Sequence, residues 1–192
     1  MRLLALTFCA ISYLWISPAF ADGNCNKNSF VTKDILQCAD VAYKKIDKKL
    51  TEQYSAMVAN SEFSHENLLL DSERAWIQYK AVHCENVYVS VSPGEEAEIE
   101  KVACLTSLTV SRVMELLYLD TGVNADGFYN ALSVMAGASS VTREKIFSHI
   151  ENLTSSPEEA RYYRKNCELV GTIHAEEERI CQIRMKFQAI AR

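Results

Sequence analysis

An all-α bundle stapled by disulfides is the fold this sequence predicts, with a C-terminal helical extension able to form a second hairpin. Apolar residues recur at steps of three and four over most of the chain, the pattern of helices with one buried face. The 192 residues include only six glycines and three prolines, too few for turn-rich sandwiches or barrels. Six of the seven cysteines follow a segment that reads as an export signal, an even number in a setting that oxidises thiols. At 48% hydrophobic and 23% charged residues the chain is neither disordered nor collagen-like.

Residues 1–21 have the organisation of a signal peptide. Arg2 supplies the positive start and Leu3 to Ile16 an apolar stretch; Pro18 breaks it before the small-residue site Ala19-Phe20-Ala21. A membrane anchor is the alternative, but the segment is short for a span and ends in a cleavage pattern. Cys9 follows Phe8 and lies too early for a lipoprotein cysteine. The expectation is cleavage after Ala21 and a periplasmic or secreted protein. No stretch of the mature chain is expected to be long and apolar enough to cross a bilayer. Losing Arg2 leaves 19 Lys and Arg against 25 Asp and Glu, a formal charge of −6. That sign disfavours nucleic acid as a partner.

From Thr32 to about Asn60, Ile35, Ala39, Ala42, Ile46, Leu50, Tyr54 and Met57 form one stripe. Lys44, Lys45, Lys48 and Lys49 lie largely off it, on a solvated face supported by the Asp40–Lys44 spacing. Ser64 is expected to cap a second helix bearing Leu69, Trp76, Tyr79 and Val82. Its end is ambiguous, because Val87, Val89 and Val91 alternate as in a strand. The sequence Ser92-Pro93-Gly94-Glu95 then reads as a helix start, with Ser92 as cap, Pro93 in the first turn and Glu95 closing a capping box. A third helix carries Ile99, Val102, Leu105, Leu108, Val113, Leu116 and Leu119, and stops at Asp120-Thr121-Gly122. These helices make a domain over residues 22–121, followed by a helical region over 122–192. There, Phe128, Leu132 and Met135 mark one short helix before Ala138-Ser139-Ser140, and Ile146, Ile150 and Leu153 mark another after it. Ser156-Pro157-Glu158-Glu159 repeats the Ser-Pro-x-Glu start.

Six cysteines admit fifteen pairings. Joining sequence neighbours across each expected boundary gives Cys25–Cys38, Cys84–Cys104 and Cys167–Cys181. The last pair sets a condition. Its 14-position spacing covers about 21 Å of continuous helix, whereas bonded cysteines need Cα atoms about 5.5 Å apart. Either the chain folds back near Gly171-Thr172, leaving Glu176 to Glu178 at a restarted helix, or one straight helix pairs each cysteine elsewhere. There is also an internal echo: Tyr79-x4-Cys84-Glu85-x-Val87 matches Tyr162-x4-Cys167-Glu168-x-Val170. It reads either as a duplicated helical hairpin or as a chance match of two amphipathic helices.

The chain contains no G-x-S-x-G elbow, Walker loop, Rossmann glycine pattern or H-E-x-x-H helix. Its cysteines are spaced too widely for a zinc knuckle. His65, His83, His149 and His174 are scattered, and the neighbours His83-Cys84-Glu85 point in different directions on a helix. No catalytic residue, metal ligand or cofactor is assigned. Carboxylates gather at expected helix starts, in Glu95, Glu96, Glu98 and Glu100, in Glu158 and Glu159, and in Glu176 to Glu178. There they suit the positive end of the helix dipole. The functional alternative is an acidic surface that draws in a basic partner.

The series Cys25…Cys38-Ala39-Asp40, Ile46-Asp47…Leu50…Tyr54, Glu73-Arg74-Ala75-Trp76-Ile77-x-Tyr79-Lys80…Cys84 and Cys104-Leu105…Arg112-x-x-Glu115-Leu116 resembles the LprI-type lysozyme-inhibitor family over about residues 25–119. The resemblance implies an exported, disulfide-bonded helical domain that inhibits lysozyme. It supplies no inhibitory residues to carry over, and the lipoprotein signal of the family's namesake has no counterpart here. Read from the residues themselves, the motif is architectural. Trp76 and Tyr79 fall on an apolar stripe, and Arg74 and Arg112 suit helix-surface or interhelical ion pairs. The Ser90–Glu98 connection is the expected partner-binding element, with Ser90, Ser92, Glu95, Glu96 and Glu98 as its contacts. A Cys84–Cys104 bond would restrain its ends and lower the entropy cost of inserting it into a cleft. The expected function is therefore non-enzymatic binding and inhibition of lysozyme or a related peptidoglycan hydrolase, without stable membrane insertion after signal cleavage. The alternatives are an envelope adaptor or immunity-like module, and a cell-wall hydrolase.

Overall fold

The computed structural model describes residues 25–26, 28–60, 63–123, 127–138 and 140–190. The expected signal peptide, its cleavage site and Ser139 lie outside them. The described residues form seven helices and no strand: α1 (Thr32–Ala59), α2 (Glu66–Val91), α3 (Ala97–Thr121), α4 (Phe128–Ala138), α5 (Arg143–Glu151), α6 (Pro157–His174) and α7 (Glu178–Ile190).

Helix α3 is the centre of the arrangement. Helices α1 and α2 both pack along it, α6 packs on α2 and more lightly on α3, and α7 joins α6 to α5. Being enclosed explains why α3 is so apolar, with Val102, Leu108, Leu116 and Leu119 buried. It is in fact long and apolar enough for a membrane span by length and composition, contrary to the expectation that the mature chain has no such stretch. Within this fold it is the core helix, and Arg112 and Glu115 are buried on it. Its end follows from Gly122, whose left-handed conformation (φ 73°) lets its N–H close on the Tyr118 carbonyl. His174 completes that end, donating from Nε2 to the carbonyls of Tyr118 and Leu119 at 3.0 and 3.1 Å.

The apolar stripes locate the helices, but their edges lie in solvent. On α1 only Leu50 and Met57 are buried, while Ile35 and Ala42 are exposed. Val82 on α2 and Met135 on α4 are exposed as well. The lysines of α1 do form a solvated face, although the ion pairs there join Lys48 and Lys49 to Glu52. Ser64 does not cap α2. The helix begins at Glu66 with His65 in the cap position, and the Ser64 hydroxyl lies 3.3 Å from the His65 ring. Val87, Val89 and Val91 continue α2 to its last residue instead of forming a strand. Val87 and Val91, four apart and half-buried, share one helix face, while Val89 is exposed on another.

The two Ser-Pro-x-Glu sequences take different roles. Ser156 is a true N-cap, its hydroxyl accepting from the Glu159 N–H at 3.2 Å with Pro157 in the first turn. Ser92 instead ends α2: its N–H bonds to the Tyr88 carbonyl, and residues 92–96 form a turn before α3 begins at Ala97. The expected capping box is absent, with no side-chain cap at the start of α3. The difference lies in what precedes each serine and in Gly94. Because α2 runs directly into Ser92, the chain must reverse there, and Gly94 occupies the crowded corner. A Cβ on Gly94 would stand 2.9 Å from the Val91 carbonyl oxygen.

Three cysteine pairs stand at disulfide distance: Cys25–Cys38 with Cα atoms 5.0 Å apart, and Cys84–Cys104 and Cys167–Cys181 at 5.6 Å each. The chain does fold back between Cys167 and Cys181, but later than Gly171-Thr172. Helix α6 continues to His174, and Ala175 makes the break with a left-handed backbone (φ 54°). Gly171 serves this turn by leaving room for it, since a Cβ there would lie 3.3 Å from the Glu176 carbonyl oxygen. Helices α2 and α6 run antiparallel, with Tyr79 stacked on Tyr162 at 5.9 Å and Arg161 donating to Gln78. The equivalent residues of the internal echo thus face one another at the crossing. Each echoing cysteine then ties its own helix to the next, α3 or α7.

A second core lies beside the first, built from Phe128 and Leu132 of α4, Ile146, Phe147 and Ile150 of α5, and Ile183 of α7. Arg179 clamps α5 through Glu144 and Glu151, and Lys186 binds the carbonyls of Glu151 and Leu153 at 2.6 and 2.8 Å. Helix α7 serves both cores, since Cys181 and Met185 belong to the larger one. The contrast between the two serines gives a direct test. Ser156→Ala is expected to lower stability by about 1 kcal/mol, the usual cost of a lost N-cap, whereas Ser92→Ala should change it little. Urea unfolding of both variants measures the difference, and equal losses would contradict the assignment.

Candidate functional site

Two features concentrate charge: the turn between α2 and α3, and a polar cluster inside the bundle. The turn is held from below. Cys84 and Cys104 lie seven residues from the ends of α2 and α3 respectively, so their bond joins both helices about two turns beneath the tip. Lys101 adds a second tie to Glu85 at 2.7 Å. Above these ties Ser90, Ser92, Glu95, Glu96 and Glu98 are all exposed. The Ser90 hydroxyl donates to the Val87 carbonyl, closing the last turn of α2. Glu95, Glu96 and Glu98 enter none of the ion pairs among the described residues, which leaves three carboxylates in solvent on a braced projection. The five sequence-predicted contacts therefore share one end of the α2–α3 hairpin.

The motif residues lie elsewhere. Trp76 is buried, covered by the Lys80 ammonium 4.3 Å from its ring centroid. Tyr79 is buried too and donates from its hydroxyl to Glu159 of α6 at 3.1 Å. Arg74 is exposed on α2. Arg112 is interhelical and fully enclosed. Its Nε donates to Glu73 at 2.9 Å, Nη1 to Asn166 at 2.8 Å and Nη2 to Ser72 at 3.1 Å.

One helical turn further along α3, Glu115 receives a two-pronged contact from Arg184 of α7 at 2.7 and 2.9 Å. Asn166 donates to the same carboxylate at 2.6 Å. Arg184 also reaches Glu176 at 3.1 Å, so Glu176 is a buried ion-pair partner as well as a residue near a helix start. Burial by itself pushes the Glu115 carboxyl up, but the charge and hydrogen bonds of Arg184, the Asn166 bond and the Arg112 charge outweigh it. The carboxyl is held below its ordinary range. Burial and the neighbouring Glu176 push Tyr118, which lies under Arg184, up to about 12.

Glu115, Asn166, Glu176 and Arg184 were not singled out by sequence as a cluster. A signal was present: Arg112 occupies position i+4 from Leu108 and i−4 from Leu116, where the stripe calls for an apolar residue. A charge in that place needs buried partners. Among the described residues no group of three or more His, Cys, Asp or Glu is arranged to hold a metal ion.

Removing one member of the cluster should be costly. Glu115→Gln leaves Arg184 and Arg112 enclosed with one fewer negative charge and is expected to destabilise by about 3–5 kcal/mol. Because the folded carboxyl titrates below the unfolded one, its contribution is complete above about pH 5. It is lost as the pH falls from the ordinary carboxylate range toward Glu115's depressed one. Urea melts of both proteins at several pH values should show the gap narrowing on acidification. A widening gap would contradict the ion-pair assignment.

Comparison with known proteins gives one family. The model described as Lysozyme inhibitor LprI matches residues 25–116, covering α1, α2 and most of α3, with the braced turn and both Arg112 and Glu115 inside it. No curated protein and no solved structure matches the chain significantly. Over residues 25–116, this chain is similar to the LprI lysozyme inhibitor family.

Proposed function

We propose that the protein is exported and, acting without catalysis of its own, binds and inhibits lysozyme or a related peptidoglycan hydrolase through the Ser90–Glu98 turn. The observation that carries this reading is the family match, within which the turn is an exposed, doubly tied and acidic projection. Bracing matters because a loop already held in shape loses less conformational freedom on entering a cleft. Charge matters because a mature net charge of −6 attracts a basic enzyme before contact. Three disulfide-distance pairs suit an oxidising compartment outside the cytoplasm.

The test is a turbidity assay with oxidised mature protein, alone and together with a basic lysozyme. Protection of the cell wall supports the proposal. Lysis by the protein alone would favour a hydrolase, and tight binding without protection would favour an adaptor. Replacing Glu95, Glu96 and Glu98 together by Gln should leave the fold intact, because none of them caps α3 through its side chain. Surface charge is screened over about 8 Å at physiological salt. The triple variant should therefore associate more slowly and with a flatter salt dependence, while dissociation changes less. Unchanged association rates and inhibition in a folded variant would remove the turn from the contact.

A further inference from the structure

The braced turn opens onto a groove of about 420 Å³ between α2, α3, α6 and the end of α7. Tyr79, His83 and Val87 form one wall, Glu100, Ala103 and Leu108 the other, and Glu159 of α6 lies at the groove as well. Among the described residues its lining includes two carboxylates and no Lys or Arg. Elsewhere buried or clamped carboxylates carry their own counter-ion, as Glu115 does in Arg184 and Glu151 in Arg179. Neither Glu100 nor Glu159 enters an ion pair among the described residues.

Glu159 is nevertheless fixed in place. The hydroxyls of Tyr79 and Tyr163 both donate to its Oε1, at 3.1 and 2.6 Å, and its backbone N–H is held by the Ser156 cap. Both hydroxyls use the same oxygen, and Oε2 accepts none of the hydrogen bonds among the described residues. A half-buried carboxylate oriented by two hydroxyls, with no cation paired to it among the described residues, is suited to accepting one. The apolar residues Val87, Ala103 and Leu108 match the methylene stem that a Lys or Arg side chain carries behind its charge. The groove is also continuous with the turn: Glu100 lies one helical turn beyond Glu96, its N–H bonded to the Glu96 carbonyl.

We infer that this groove is a receptor for a basic side chain, Lys or Arg, projecting from the partner protein whose cleft receives the turn. The identity of that partner rests on the inhibitor reading; the groove's preference for a cation does not. The turn and the groove then form one contact face, with the turn inserting into the enzyme and the groove accepting a side chain from it. Two contacts at different points of a rigid hairpin also fix the orientation of the partner.

The test uses the whole oxidised protein and a probe that needs no lysozyme. Nα-acetyl-arginine amide is titrated while the NMR signals of the His83 ring and the Ala103 and Ala189 methyls are followed, with the uncharged citrulline analogue as control. Saturable shifts with the arginine probe and none with citrulline are expected. Glu159→Gln retains an acceptor for both tyrosine hydroxyls but removes the charge, and should weaken the probe by about tenfold. Glu100→Gln, on an exposed side chain, should weaken it in a protein with an unchanged thermal melt. Absence of binding, or equal binding of arginine and citrulline, overturns the inference. Probe binding in a protein that fails to inhibit lysozyme would keep the groove as a cation receptor and overturn the inhibitor reading alone.

Discussion

Charges enclosed in a protein interior must find partners, and that requirement governs this bundle. Arg112 and Arg184 are both fully buried. Each would cost several kcal/mol to desolvate if left alone. Their partners come from three helices and a turn: Glu73 and Ser72 on α2, Glu115 on α3, Asn166 on α6, and Glu176 in the turn before α7. Apolar contacts tolerate a helix sliding by a fraction of a turn, but a two-pronged arginine–carboxylate contact does not. The cluster therefore fixes the register in which the α6–α7 hairpin sits against α2 and α3. Asn166 is the hinge of this logic, accepting from Arg112 and donating to Glu115 with the two ends of one amide.

The exposed end of the α2–α3 hairpin inherits its rigidity from this interior. Below the turn come the Lys101–Glu85 pair and the Cys84–Cys104 bond; below those, α2 is locked to α6 by the Tyr79–Tyr162 stack. The proposed contact face of turn and adjoining groove is therefore carried on a continuous stack of ties. The turn carboxylates Glu95, Glu96 and Glu98 are left in solvent, while Glu115 deeper in the bundle is paired with Arg184. That division separates the carboxylates that hold the fold from those free to meet another molecule.

Much of this was legible in the sequence, and the exceptions have physical causes. The helices announced themselves through apolar spacing, and Gly122 and Ser156 marked a stop and a start by local chemistry alone. Ser92 carried the same local chemistry as Ser156, yet the preceding helix had already claimed its N–H. Local sequence cannot show that competition, because it depends on where α2 ends. The fold-back between α6 and α7 was set by the spacing of Cys167 and Cys181, but its position at Ala175 followed from how closely the chain could pass Gly171. The turn residues were legible as an exposed acidic segment. The groove was not, since Glu100 on α3 and Glu159 on α6 are far apart in sequence and line one groove only in the folded chain. Arg112 was visible as a motif residue, whereas its partner Asn166 has no distinguishing sequence feature.

The same cluster has a consequence for the order in which the molecule is made. A chain emerges from its N-terminus, so α1, α2 and α3 are complete well before the residues that neutralise their interior. Arg184 follows Glu115 by 69 positions. Until Arg184 arrives, Glu115 lacks the arginine that pairs with it in the finished fold, so enclosing it would bury a carboxylate without that partner. The α6–α7 hairpin, last to arrive, is what allows the earlier helices to exclude water, so the start of the chain waits on its end.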